Sequence, residues 1–229
     1  MLCKIADLLI EVPEAGGMAP RCRGYLTNEQ GGADITIRAD LYKAEKYGTA
    51  GENMVAYMES CVQFCRSLIH FDGFYLHSSA VELDGKAYLF SGPSGMGKST
   101  HTRLWQSLHG DAAQVFNDDK PALRYLDGRW FAYGTPWCGK ERMGVNAAVP
   151  LRGICLLSRG AHDVVRPVTP EGYVNGIIRQ VVFPIDTPSM IRGAHLLGDL
   201  VRTVPAIQAD CTPTEHAAEM VMQALAQHS

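Results

Sequence analysis

No apolar run in this chain reaches the roughly 18 residues that a membrane-crossing helix needs, so no transmembrane segment is expected. The first residues bring an acid, Asp7, and no basic stretch before an apolar core, so they do not read as a secretory signal. Charge of one sign is not in excess either. With 21 basic and 24 acidic residues the net charge is −3, too little for a field that coats nucleic acid. CxxC pairs and Cys/His clusters are missing. The seven cysteines are an odd number without metal-ligand spacing, and they predict free thiols in a reducing cytoplasm. Repeats, low-complexity stretches and long linkers are also lacking. What remains is a chain of 229 residues, 46% hydrophobic, enough for one buried core. A single domain over 1–229 is expected, with 1–52 the least informative part.

The periodicities outline an α/β chain. Lys4 to Val12 reads as a strand, and Ala33 to Ile37 alternates as a half-buried strand does. Met54, Tyr57, Met58, Cys61, Phe64, Cys65 and Leu68 recur at three and four, a helix ending near His70. Phe74 to Leu83 reads as one strand, Asp84-Gly85 as a two-residue turn, and Lys86 to Ser91 as a return strand apolar enough for burial on both faces. Short strands are expected around Val115 and at Ala122 to Leu126, a second turn at Asp127-Gly128, and a buried strand at Arg152 to Ser158. Helices are expected near Pro170 to Gln180 and Pro188 to Thr203. A strand around Ile207 to Asp210 then leads into a helix at Thr212-Pro213-Thr214-Glu215.

One segment carries chemistry directly. Gly92-Pro93-Ser94-Gly95-Met96-Gly97-Lys98-Ser99 fits G-x-x-x-x-G-K-[ST] between an apolar strand and an amphipathic helix. Glycines let successive N–H groups turn toward phosphate oxygens, and the helix start adds its dipole. Lys98 supplies a point charge for the β- and γ-phosphates, and Ser99 a hydroxyl for Mg²⁺.

Two more features converge on this loop. If Asp84-Gly85 is a two-residue turn, paired positions across it sum to 169. His77 then falls opposite Gly92, with its imidazole beside the phosphates. Asn117-Asp118-Asp119 follows a strand's end, where adjacent carboxylates cannot easily both be buried without partners. A Mg²⁺ ion would relieve them, and one could serve as base for an incoming hydroxyl.

Leu76-His77-Ser78, Gly92 to Thr100 and Asn117-Asp118-Asp119, in this order, resemble the HPr kinase/phosphorylase and PEP carboxykinase superfamily. Ser94 fits the G-x-S-G-x-G-K-[ST] form shared by both branches. Gly134-Thr135-Pro136-Trp137-Cys138-Gly139-Lys140 looks like the glycine, aromatic and lysine segment that follows the acids in that group. The resemblance spans Phe74 to about Ser158. Thr100 departs from it, since HPr kinases usually carry Glu after the loop's serine. The implied fold is a mixed-sheet, PEP carboxykinase-like P-loop core with C-terminal helices.

The implied activity is an ATP-dependent, Mg²⁺-assisted kinase acting on a hydroxyl, such as serine of a peptide or protein. Gly92, Ser94, Gly95, Met96, Gly97, Lys98, Ser99 and Thr100 would bind the nucleotide. Ser99, Asp118 and Asp119 would hold metal, one acid doubling as base. His77 would act near the γ-phosphate, with a lean toward a cationic role. Lys140 would compensate transition-state charge. A nucleotide sensor without turnover, and an ATP-dependent enzyme on a small metabolite, are the alternatives.

Overall fold

The computed structural model describes residues 1–14, 16–139 and 144–227. At the N-terminus, Lys4 to Val12 is not one strand. β1 (Leu2–Ile5) and β2 (Leu8–Glu11) form a hairpin, with Ala6 and Asp7 both at positive φ. That turn lacks the glycine that strengthens the Asp-Gly turns, so Asp7 alone marks it in the sequence. The short helix α1 (Met18–Cys22) follows, and β3 (Ile35–Thr36) pairs with β2 to complete a three-stranded sheet.

α2 (Glu52–Ser67) is the predicted amphipathic helix, continued by a 3₁₀ turn at Leu68–Phe71. Cys61 and Cys65 sit one turn apart in the core, sulfur to sulfur 3.6 Å. All seven cysteines are buried free thiols.

The predicted strand from Phe74 to Leu83 is two strands. β4 (Gly73–Tyr75) pairs with β8, and β5 (Ser78–Leu83) pairs with β6 and β7, with β6 at Lys86–Ser91, β7 at Ala113–Asn117 and β8 at Ala122–Leu126. The chain changes ladders at Leu76-His77, where the His77 N–H bonds to Gln180 O instead of to a neighbouring strand. The β5–β6 register is the predicted one, from Leu83↔Lys86 to Ser78↔Ser91. Asp84-Gly85 and Asp127-Gly128 both turn with positive φ at each position, the geometry that matches strand twist.

Between β6 and β7 lies α3 (Lys98–His109). β9 (Arg129–Tyr133) returns from β8, and β10 (Ala148–Arg159) is longer than its predicted core. The start of β10 pairs antiparallel with β9; its remainder lies parallel to β6 and to β12 (Ala206–Cys211). β11 (Val164–Pro167) edges β12. The large sheet is therefore mixed, in the order β4-β8-β9-β10-β6-β5-β7 with β12 and β11 branching from β10.

The last helices are α4 (Pro170–Ile178), α5 (Thr187–Thr203) and α6 (Glu215–Gln227). Thr214 caps α6, accepting from the Ala217 N–H at 3.3 Å.

β6 shows why its sequence is apolar throughout. Leu89 faces a core shared with α4 and α5, while Tyr88 and Phe90 face α3 and α6. A third cluster joins the N-terminal sheet to α2, to Tyr75 and Tyr133 of the large sheet, and to Trp137 in the segment after β9. Among the described residues no helix is long and apolar enough to cross a membrane.

Candidate functional site

The loop from Gly92 to Gly97 leaves β6 and opens α3. A Cβ on Gly92 would stand 2.4 Å from Leu157 O, so β10 leaves room only for hydrogen there. Gly97, at φ 95°, turns the chain into the first helical residue. Lys98 is buried and folds back, donating to Gly92 O at 2.8 Å and Pro93 O at 3.2 Å. Burial holds its pKa below the usual value, while Asp119 and Asp118 act to raise it.

Beside the loop lies a cleft of about 420 Å³, bordered by Ser94, Gly95, Gly97, Lys98, Ser99 and Thr100. His77, Asp118 and Asp119 stand across from them in the same cleft. Met96 instead borders an adjoining pocket of about 240 Å³, with Thr100, His101, Arg159 and Thr212.

Asn117, fully buried at the end of β7, shapes the acid pair. Its Oδ1 accepts from the backbone N–H groups of Asp119 and Lys120, and its Nδ2 donates to Thr135 O and Oγ1. The two carboxylates then diverge. Asp118 Oδ1 accepts from Ser79 Oγ at 2.7 Å, and Ser79 lies 2.8 Å from Thr102 on α3. Asp119 Oδ2 accepts from Tyr57 OH at 3.1 Å and from Lys120 Nζ, and its Oδ1 lies 3.5 Å from His77 Nε2.

His77 sits at the break between β4 and β5. Its Nδ1 lies 2.9 Å from Gln180 Oε1. A carbonyl oxygen there asks Nδ1 to carry the proton, which leaves Nε2 toward Asp119. Burial, and then the Lys98 charge, lower the imidazole pKa, against the pull of Gln180 and Asp119. The cationic lean read from the sequence is therefore opposed by the protein surroundings of the ring. The ring is favoured neutral because desolvation penalises its charge.

Lys140 lies outside the described residues. Arg103 and Arg159 also border the cleft. Arg179 is exposed and does not line the cleft, whereas its neighbour Gln180 reaches His77.

Several site residues were not foreseen. Ser79 lies two positions past His77 in sequence, at the start of β5. Lys120 follows the acids directly. Tyr57 and Gln180 had none, being 62 and 103 residues from their partners.

Among the described residues no group of three His, Cys, Asp or Glu side chains is built to hold a metal. Mg²⁺ does not ask for one. It keeps several waters and is usually held by one or two carboxylates together with substrate phosphates. Asp118 Oδ2 accepts no hydrogen bond from the described residues, and Asp118 shares the cleft with Ser99. The donors present therefore fit such an ion.

No family model matches the chain, and no curated protein matches it. Among solved structures, the chain is distantly similar to the Hpr(Ser) kinase/phosphatase from Coxiella burnetii. Identity is 17%, over 67% of this chain and 96% of that one, with a TM-score of 0.28.

Proposed function

We propose that this chain is an ATP-dependent phosphotransferase that moves a γ-phosphoryl group to a hydroxyl acceptor, serine being the simplest. The observation that carries this reading is one cleft bordered by Lys98, Ser99, His77, Asp118 and Asp119. Phosphoryl transfer asks a protein for position and charge compensation more than for covalent chemistry. On this reading the loop amides from Ser94 to Thr100 and the start of α3 cradle the phosphates. Lys98 leaves the Gly92 and Pro93 carbonyls and turns to the β- and γ-oxygens. The 240 Å³ pocket beside Met96 takes the base and ribose.

Ser99 and Asp118 would hold Mg²⁺, which when bound neutralises charge on the phosphate oxygens. Asp119 accepts the acceptor's proton. Neutral His77, its Nδ1–H given to Gln180, presents Nε2 beside that proton. Residues 1–229 work as one unit on this view, because the N-terminal sheet shares a core with Tyr57, whose hydroxyl bonds to Asp119. The chain belongs, on the same reading, with HPr kinase-like proteins.

The test combines calorimetry of Mg·ATP binding with transfer of labelled phosphate to hydroxyl acceptors. Binding that depends on Lys98, and transfer that depends on Asp119, are expected. ATP binding that Lys98→Met leaves unchanged overturns the assignment.

A further inference from the structure

Behind Asp119 a second cavity of about 310 Å³ opens, lined in part by Arg21, Met54, Tyr57, Met58 and Lys120. It shares Asp119 and Gly139 with the phosphate cleft, so the Asp119 carboxylate stands on the wall between the two compartments.

The chemistry of this cavity is specific. The Arg21 guanidinium lies over the Tyr57 ring, 4.4 Å from its centroid, and Lys120 Nζ lies 5.1 Å from the same ring. Tyr57 is neutral, because burial pushes its pKa up to about 12. Its hydroxyl donates to Asp119 and accepts the Gly139 N–H at 3.2 Å. Lys120 is committed to Asp119. Arg21 donates to Gly139 O at 3.2 Å, and among the described residues no carboxylate pairs with it. A guanidinium has five N–H donors in a fork that matches a carboxylate. Arg21 and Lys120 against Asp119 leave an excess positive charge beside the proposed base.

We infer that this cavity binds the phosphoryl acceptor, and that the acceptor is a hydroxyl compound carrying its own carboxylate. The inference rests on the phosphotransferase reading above. Arg21 takes the carboxylate, the two methionines cover the carbon skeleton, and the hydroxyl meets Asp119. In the step, Asp119 receives the hydroxyl proton and the acceptor oxygen bonds to the γ-phosphorus. The bond from that phosphorus to the β,γ-bridging oxygen breaks, and its electron pair leaves on ADP. The same carboxylate can come from a free hydroxy amino acid or from the chain end of a peptide. A cavity of this size lies near the lower limit for small-ligand pockets. It suits one residue better than the middle of a peptide.

The experiment measures transfer from labelled ATP to L-serine, L-serinamide, a peptide ending in serine, the same peptide amidated, and a peptide with internal serine. Wild type, Arg21→Ala and Arg21→Lys are compared, with Mg·ATP affinity and thermal midpoint recorded for each. Acids are expected to outrun their amides. Arg21→Ala should raise KM for the preferred acid about 10–100-fold, the range for a lost charge-assisted pair, with ATP affinity unchanged. Arg21→Lys should recover part of the loss. L-Serine against the serine-ending peptide distinguishes the two sources. Equal rates for acids and amides, preference for internal serine, or an unchanged KM in Arg21→Ala overturns this inference while leaving the phosphotransferase intact. Transfer to none of the five in a wild type that binds ATP also overturns it. A wild type that does not bind ATP defeats the underlying reading as well.

Discussion

Nε2 of His77 lies 3.5 Å from Oδ1 of Asp119. With Gln180 Oε1 against Nδ1, the ring is held so that its second nitrogen faces the carboxylate proposed as base. The pair joins two segments that no local pattern connects: the break between β4 and β5, and the turn after β7. Its properties lead to the first prediction.

Burial and then Lys98 lower the His77 pKa. The folded state therefore resists protonation, and neutral His77 is lost only as pH falls through that lowered value. If neutral His77 is the working form, transfer falls on the acid side of its pKa and not on the basic side. His77→Gln should slow transfer about 10²-fold, keep ATP affinity within a few fold and remove that acid limb. A transfer rate that rises on acidification through the His77 pKa, followed by NMR of the ring nitrogens, would reject the neutral role.

Lys98→Met should weaken Mg·ATP binding by about 1.5–3 kcal/mol, the worth of a charge-assisted contact. The apo thermal midpoint should change little, because the buried charge lost was partly desolvated at a cost. Calorimetry and a melting curve on the same samples check both halves.

Asp118 and Asp119 should separate in kind. Asp118 is tied to Ser79 and shares the cleft with Ser99, whereas Asp119 faces His77, Tyr57 and Lys120. Raising Mg²⁺ should partly restore transfer in Asp118→Asn and leave Asp119→Asn inactive. The reverse pattern exchanges their roles.

Asn117→Ala removes a fully buried side chain that accepts two backbone N–H groups and donates to Thr135. Stability should fall by about 2–3 kcal/mol, a midpoint shift of roughly 5–10 °C for a chain of this size. Transfer should fall further than the folded fraction, because the turn that aims Asp119 is lost. Equal losses in both readouts would make Asn117 structural alone.

His101 gives a pH-dependent stability. Burial lowers its pKa from 6.5 to about 4, and its Nε2 has no hydrogen-bond partner among the described residues. Between these values the unfolded chain binds a proton that the folded protein refuses, so stability rises with pH there. The slope is at most about 1.4 kcal/mol per unit. Urea midpoints at pH 5 and 7 should differ more in wild type than in His101→Gln.

The sequence alone determined the features whose physics is local. The loop from Gly92 to Ser99, the two Asp-Gly turns, the β5–β6 register from Leu83↔Lys86 to Ser78↔Ser91, and the α2 periodicity all depend on neighbours a few residues apart. A turn pair dictates its own dihedrals, and strand register then follows by counting. The tertiary structure decided what depends on distant partners. The break at Leu76-His77 exists because β4 and β5 pair with different strands. The β1–β2 hairpin turns on Ala6 and Asp7, without the glycine that follows Asp in the other two turns. The split of Asp118 toward Ser79 and Asp119 toward Tyr57 and His77 is set by Asn117 and Thr135, 18 residues apart. Arg21 arrives at Gly139 from 118 residues away. Packing of the N-terminal sheet on α2 carries it there, and burial of apolar surface acts without regard to sequence separation.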